Sequence, residues 1–304
     1  MQVDNTSRAA TAAPPLWRGL ALATAGSIAF SGKAIVVKLA YRYGVDAVTL
    51  IMYRMLFALP MFALLAWWAG RGRPPLTRSD WLAVAGLGFS GYYLASFLDF
   101  AGLAYITASL ERLIIYLTPT LVLAIGAIVF GRGVTRRQLT ALAISYLGVL
   151  VVFGREVTFE GGQVAIGAAL VFGSVISYAI YLVASGEVVG RIGALRLTGL
   201  ATSIACLLCI AQFFILRPLS AFDVAPEVIW LSVLNATACT FAPVLMVMMA
   251  IERVGASLVA QAGMVGPLST IFMGIVILGE PFTAWIAAGT ILVLLGIWML
   301  AKRR

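Results

Sequence analysis

Long apolar runs, broken by short polar or basic interruptions, set the pattern of this chain. Ten of them approach or exceed the length of a bilayer crossing, at about 17–38, 47–68, 81–100, 108–130, 139–153, 163–184, 197–216, 227–250, 256–278 and 283–301. A spanning helix needs roughly 20 mostly apolar residues. The runs lack polar–apolar alternation and are longer than the about 10 residues of a barrel strand, so they predict helices. The fold class expected is an all-α membrane protein with ten transmembrane helices. The first 15 residues are polar or small, end in Ala13-Pro14-Pro15, and predict a disordered lead. Arg18 ahead of Ala21 and Ala23 also fits a signal peptide, but the apolar run continues well past that pair, which favours an uncleaved first helix.

Composition strengthens this picture. The 304 residues are 62% hydrophobic and 11% charged, against about 45–50% and about 25% in soluble domains. The net charge is +9. Connections on one side of the expected membrane hold Arg71, Arg73, Arg78, Arg132, Arg136, Arg137, Arg191, Arg196 and Arg253, whereas those on the other hold only Arg42, Arg155 and Arg217. The positive-inside rule then places both termini in the cytoplasm. The basic balance follows from topology and is no nucleic-acid footprint, because no patch clusters with exposed aromatics. Cys206, Cys209 and Cys239 lie in expected helices, and the chain has no His. A zinc site is not expected. Neither is a cofactor: no Walker A motif occurs, and the G-x-G-x-x-G at Gly86–Gly91 falls inside a span, where it fits close helix packing better than a dinucleotide loop. The Asn235-Ala236-Thr237 sequon also falls inside a span.

A constant offset of 148 residues aligns the two halves without a gap. Ala108-Ser109-Leu110 meets Ala256-Ser257-Leu258, Pro119 meets Pro267, Gly126 meets Gly274, Gly131 meets Gly279, and Leu147-Gly148 meets Leu295-Gly296. The chain is read as a lead over 1–15 and two five-helix units over 16–155 and 163–304. Five is odd, so the second unit enters the membrane from the opposite side. Inverted repeats of this kind are a recurring plan of secondary transporters, in which two pseudo-equivalent halves give two pseudo-equivalent conformations.

The segments starting TASLERLIIYLTPTLVLAIGAIVFGRGVT and GASLVAQAGMVGPLSTIFMGIVILGEPFT resemble the second half of an EamA-type unit of the drug/metabolite transporter superfamily. The shared pattern is Ala-Ser, a Pro ten residues beyond the Ser, Gly-Glu-x-x-Thr, and a helix with a Leu-Gly pair. The Gly-Glu is intact at Gly279-Glu280 but is Gly131-Arg132 in the first copy. The resemblance implies paired halves around a central cavity. It also implies export of amino acids, other metabolites or drugs across a bacterial inner membrane. The expected partners are a small-molecule substrate and the lipid bilayer, and a monomer suffices.

Charges inside spans point to the site, because each costs several kcal/mol unless paired or hydrated. Lys33 shares a helical face with Gly26 and Phe30; its counterpart is Tyr181, on a face with Ser174, Tyr178 and Ser185. Both faces suggest a shared interior, the alternative being that Lys33 snorkels outward. Arg54, nearer a span end, suits snorkelling. Glu111 and Arg112 are helix neighbours about 100° apart, so one can face a cavity while the other pairs elsewhere, for example with Asp99. Tyr92, Tyr93, Tyr116, Tyr178 and Tyr181 lie within spans, where an interface belt does not explain them. The expected substrate-binding residues are Lys33, Tyr92, Tyr116, Tyr178, Tyr181 and Arg112. Asp99 and Glu111 are the expected coupling or gate residues, and Pro119 and Pro267 the expected helix breakers. The solute class is amino acids, aromatic ones among them, or drug-like cations; uncoupled exchange and a non-transporting scaffold subunit are the alternatives. An enzyme is not expected, since there is no His and no acid cluster at a membrane face.

Overall fold

The computed structural model describes residues 16–130, 135–160, 162–254, 259, 262–263 and 265–301. All regular structure among them is helical. The helices form ten successive spans. Span α1 is Leu16–Tyr41, α2 Ala47–Gly70, and α3 Arg78–Leu103 with a π-helical turn at Gly88–Leu94. Span α4 is broken into Ala108–Ile115 and Thr118–Phe130. Spans α5, α6 and α7 are Arg136–Glu160, Gln163–Ile192 and Ala194–Leu216. Span α8 runs through Pro226–Ala236, a π turn at Thr237–Phe241 and Ala242–Val254. Span α9 comprises Val265–Met273 and a π turn at Gly274–Leu278, and α10 is Ala284–Ala301. Eight of the ten are long and apolar enough to cross a membrane, and the apolar helices in α9 and α10 are shorter.

Spans α5 and α6 run furthest past their apolar stretches. Span α5 starts at Arg136 because Thr135 and Gln138 form a reciprocal cap: Gln138 N donates to Thr135 Oγ1 at 3.3 Å, and Thr135 N donates to Gln138 Oε1 at 2.8 Å. Such a cap satisfies two otherwise orphaned N–H groups. Span α6 continues past Ala184 because nothing stops it before Gly193, whose φ of +89° turns the chain directly into α7.

The packing of the two repeats is pseudo-symmetric. Spans α2 and α7 pack on each other, as do α5 and α10; α1 leans on α8 and α9, while its counterpart α6 leans on α3 and α4. Each half thus lends its first helix to the other. The α5–α10 contact shows the symmetry at single residues. A Cβ at Gly148 would lie 2.7 Å from the Gly289 carbonyl oxygen, and one at the equivalent Gly296 would lie 2.7 Å from that of Ala141. Only glycine lets these backbones approach so closely. The π turns of α3 and α8 also fall at matching positions under the 148-residue offset.

Successive spans alternate in direction, so the bundle has a near end, where α1 begins, and a far end, where it finishes. Contacts tie like ends together. At the far end Arg217 pairs with Asp46 and Arg42 donates to the Leu278 carbonyl; at the near end Arg191 pairs with Asp80 and Arg73 donates to the Ile192 carbonyl.

The break in α4 lies at Tyr116–Leu117, ahead of Pro119, and not at the proline itself. Pro119 occupies the first turn of the second piece, where its missing N–H has no intrahelical partner to lose. Pro267 is likewise the third residue of α9. Both prolines start helices and do not interrupt them.

Candidate functional site

A cavity of about 580 Å³ opens between the halves. Its walls come from α1, α3, α4, α6, α7, α8 and α9. Toward the near end it reaches Val189 in the last turn of α6 and Ala194 at the start of α7; its deepest described lining residues toward the far end are Ser31 and Arg112. Tyr92, Tyr116, Tyr178 and Tyr181 all line it. Tyr178 and Tyr181 stack with ring centroids 5.6 Å apart, Tyr92 meets Tyr181 edge-on at 5.1 Å, and the hydroxyls of Tyr92 and Tyr181 lie 3.3 Å apart. Tyr116 donates to the Gly263 carbonyl at 3.2 Å. Tyr93 stays outside the cavity and packs against Phe89.

Helix breaks and wide turns create this room. The π turn of α3 carries Tyr92, and close packing of the same stretch on α6 and α7 uses two of the G-x-G-x-x-G glycines: a Cβ at Gly88 would lie 2.6 Å from the Ala201 carbonyl oxygen and one at Gly91 would run into the Tyr181 side chain, whereas Gly86 has open space beside it. The motif is therefore a helix-packing surface. Asn235 of the sequon is buried and donates to the Lys33 carbonyl at 3.4 Å. The three cysteines are buried and unpaired by disulfides.

Beyond the cavity floor lies a cluster of buried charges. Lys33 Nζ lies 2.5 Å from Asp99 Oδ2 and 3.6 Å from Glu111 Oε1, so one ammonium joins α1 to both α3 and α4. All three residues are buried, Glu111 completely. Neither Lys33, Asp99 nor Glu111 lines the cavity. Arg54 is buried rather than snorkelling, because α8 covers it: its Nε donates to Thr240 Oγ1 at 3.3 Å, and its guanidinium sits 5.1 Å from the Phe100 ring centroid.

Glu111 and Arg112 part company as their 100° offset requires. Glu111 turns to Lys33, while Arg112 lines the cavity. Arg112 Nε donates to Thr270 Oγ1 at 2.8 Å, and its Cζ lies 5.9 Å from the centroid of Phe30. Thr270 and Thr240 come from the opposite repeat, and neither carries a motif or a charge. Only the inter-repeat packing puts them on the two arginines, so the sequence offered no signal for them.

At the far end the two halves are latched. Gly279 adopts φ +75° and turns the chain out of α9, which brings Glu280 to the start of α4. Glu280 Oε1 accepts from Ala108 N at 2.7 Å, and Oε2 accepts from Ser109 N at 3.2 Å and Ser109 Oγ at 2.6 Å. A carboxylate on a helix N-terminus meets unsatisfied N–H groups and the positive end of the helix dipole. The equivalent Arg132 lies outside the described residues. A separate far-end pocket of about 540 Å³, lined by Lys38, Arg42 and Glu280 among others, shares no lining residue with the central cavity.

Comparison with known proteins agrees with this architecture. The EamA-like transporter family model matches twice, over residues 17–154 and 165–302. An uncharacterized transporter of Bacillus subtilis, YcbK, is 29% identical over 272 residues, covering 84% of this chain and 83% of its own length. An uncharacterized transporter of Archaeoglobus fulgidus is 22% identical over 276 residues, covering 90% of this chain and 94% of its own. A solved crystal structure with 15% identity superposes with a TM-score of 0.64, covering 92% of this chain and 97% of that one, which speaks to the fold alone. Both halves of the chain therefore carry the same unit, and the protein belongs to the EamA-like transporter family.

Proposed function

We propose that this protein is a secondary transporter, not an enzyme, and that it exports a small organic solute across a bacterial inner membrane by alternating access. One observation carries the reading: a central cavity lined by both repeats reaches the near end and is closed from the far end by the charge cluster and the Glu280 latch. The arginine-rich connections lie at the near end, which supports a cytoplasmic near end and cytoplasmic termini. The conformation is then inward-open. A volume near 580 Å³ falls within the about 300–1,000 Å³ of small-molecule sites. Amino acids, aromatic ones among them, or drug-like cations are the two solute classes in view.

In this reading Tyr92, Tyr116, Tyr178, Tyr181 and Arg112 contact the solute. Lys33 serves with Asp99 and Glu111 as a gate that joins three helices below the floor, and not as a ligand to the solute. Opening the far end must separate the parts that this cluster and Glu280 hold together. The test is counterflow in liposomes containing only this protein. A labelled panel of amino acids, aromatic acids and organic amines is offered with and without a proton gradient. Accumulation of at least one solute supports transport, and its dependence on the gradient separates coupled export from uncoupled exchange. Movement of none removes the transporter reading.

A further inference from the structure

Among the described residues, five buried charges lie near the cavity, three cations (Lys33, Arg54 and Arg112) against two carboxylates (Asp99 and Glu111), so the set carries one positive charge in excess. Lys33 pairs with both carboxylates, whereas Arg54 and Arg112 are each held by a threonine hydroxyl. Arg112 is the one of the three cations that lines the cavity. It is 97% buried, being 3% exposed, and among the described residues it takes part in no ion pair. Its Nε is fixed by Thr270, but its Nη2 is buried with no hydrogen-bond partner. An arginine cannot escape this by losing its proton, since the guanidinium stays charged at any ordinary pH. A lone buried cation costs several kcal/mol. The chain accepts that cost at a wall of its central cavity, where Arg112 is the one charged residue among the described lining residues.

We propose, resting on the transporter reading above, that the solute is an organic anion whose carboxylate pairs with Arg112 and whose apolar or aromatic body lies along Phe30 and the tyrosines. The counter-charge missing from the protein is supplied by the cargo. No Asp or Glu is among the described lining residues, so the cavity offers a cation only ring faces and a repelling guanidinium. The planar fork of a guanidinium matches a carboxylate better than any other side chain. Thr270, held in turn by the Ser31 and Gly266 carbonyls at 3.4 and 3.3 Å, keeps that fork in place.

The test compares three probes of one shape and different charge: 3-phenylpropionate, 3-phenylpropionamide and 3-phenylpropylamine. Each is added to the purified full-length protein in detergent, and the melting temperature is followed by intrinsic fluorescence. A ligand that binds only the folded state raises the melting temperature with concentration. The acid should stabilise the wild type, and the amide and amine should not. Arg112→Met should weaken the acid's apparent affinity about tenfold or more, as loss of a charged hydrogen-bonded pair requires, while its melting temperature without ligand is unchanged or higher. Arg112→Lys should retain part of the acid's effect. Equal responses to acid and amide in the wild type, or no response to the acid, overturn the proposal even if no variant folds. So does an acid response that survives Arg112→Met. If amines or amides move in liposomes while the acid does not bind, this inference fails and the transporter reading stands.

Discussion

Lys33 and Arg112 show how differently two buried cations can be used. Lys33 is neutralised by Asp99 and Glu111 and holds three helices together. Removing it takes the ammonium away from both carboxylates and leaves one buried negative charge unbalanced beside Arg54, which costs about 3–5 kcal/mol. We expect Lys33→Met to lower the melting temperature and the yield of folded protein, rather than to spare expression and abolish transport alone. Adding Asp99→Asn should recover much of the loss, because charge balance with Arg54 and Glu111 returns. A double-mutant cycle read by thermal melting checks this, and simple additivity of the two changes would count against the cluster. Pro119 offers a contrast. Since it lies in the first turn of its helix segment, Pro119→Ala should change stability by less than about 1 kcal/mol; a much larger loss would mean that the proline itself shapes the break.

At the level of elements, the ten spans could be read from the apolar runs, since a bilayer leaves the backbone no alternative to helix. The repeat was legible as well, because Gly148 and Gly296 recur where backbones must touch. The side-chain partnerships were not. That Glu111 meets Lys33 while Arg112 meets Thr270 depends on the rotation of α4 against α1 and α9, and an adjacent pair in sequence carries no record of that rotation. The ends of α5 and α6 were also hidden from hydropathy, because caps and a positive-φ glycine set them.

The far-end latch is the element most open to test. Glu280 holds the start of α4 from the opposite repeat, whereas Arg132 in the first copy has no acceptor with which to do the same. Glu280→Gln should weaken charged hydrogen bonds worth about 1.5–3 kcal/mol and favour far-end opening by roughly ten- to a hundredfold. Spin labels replacing the exposed far-end residues Tyr43 and Phe282, in a background with the three cysteines replaced by alanine, should report a longer-distance population in the variant. Identical distance distributions would show that Glu280 does not hold the gate.

For the whole molecule, the exchange of first helices ties the two repeats into one body. Contacts of α2 with α7 and of α5 with α10 lie between pseudo-equivalent partners, which suits two related conformations. The cavity between the halves is the feature that must face each side in turn. Phe30, 39% exposed at the floor, is the residue through which to watch it. The most direct measurement is modification of Phe30→Cys, in the same cysteine-free background, by a membrane-impermeant maleimide added to one face of the membrane or the other. Labelling from both faces is expected, faster from the near face in the parent and shifted toward the far face by Glu280→Gln. Labelling from one face alone, in both proteins and with solute present, would contradict alternating access through this cavity.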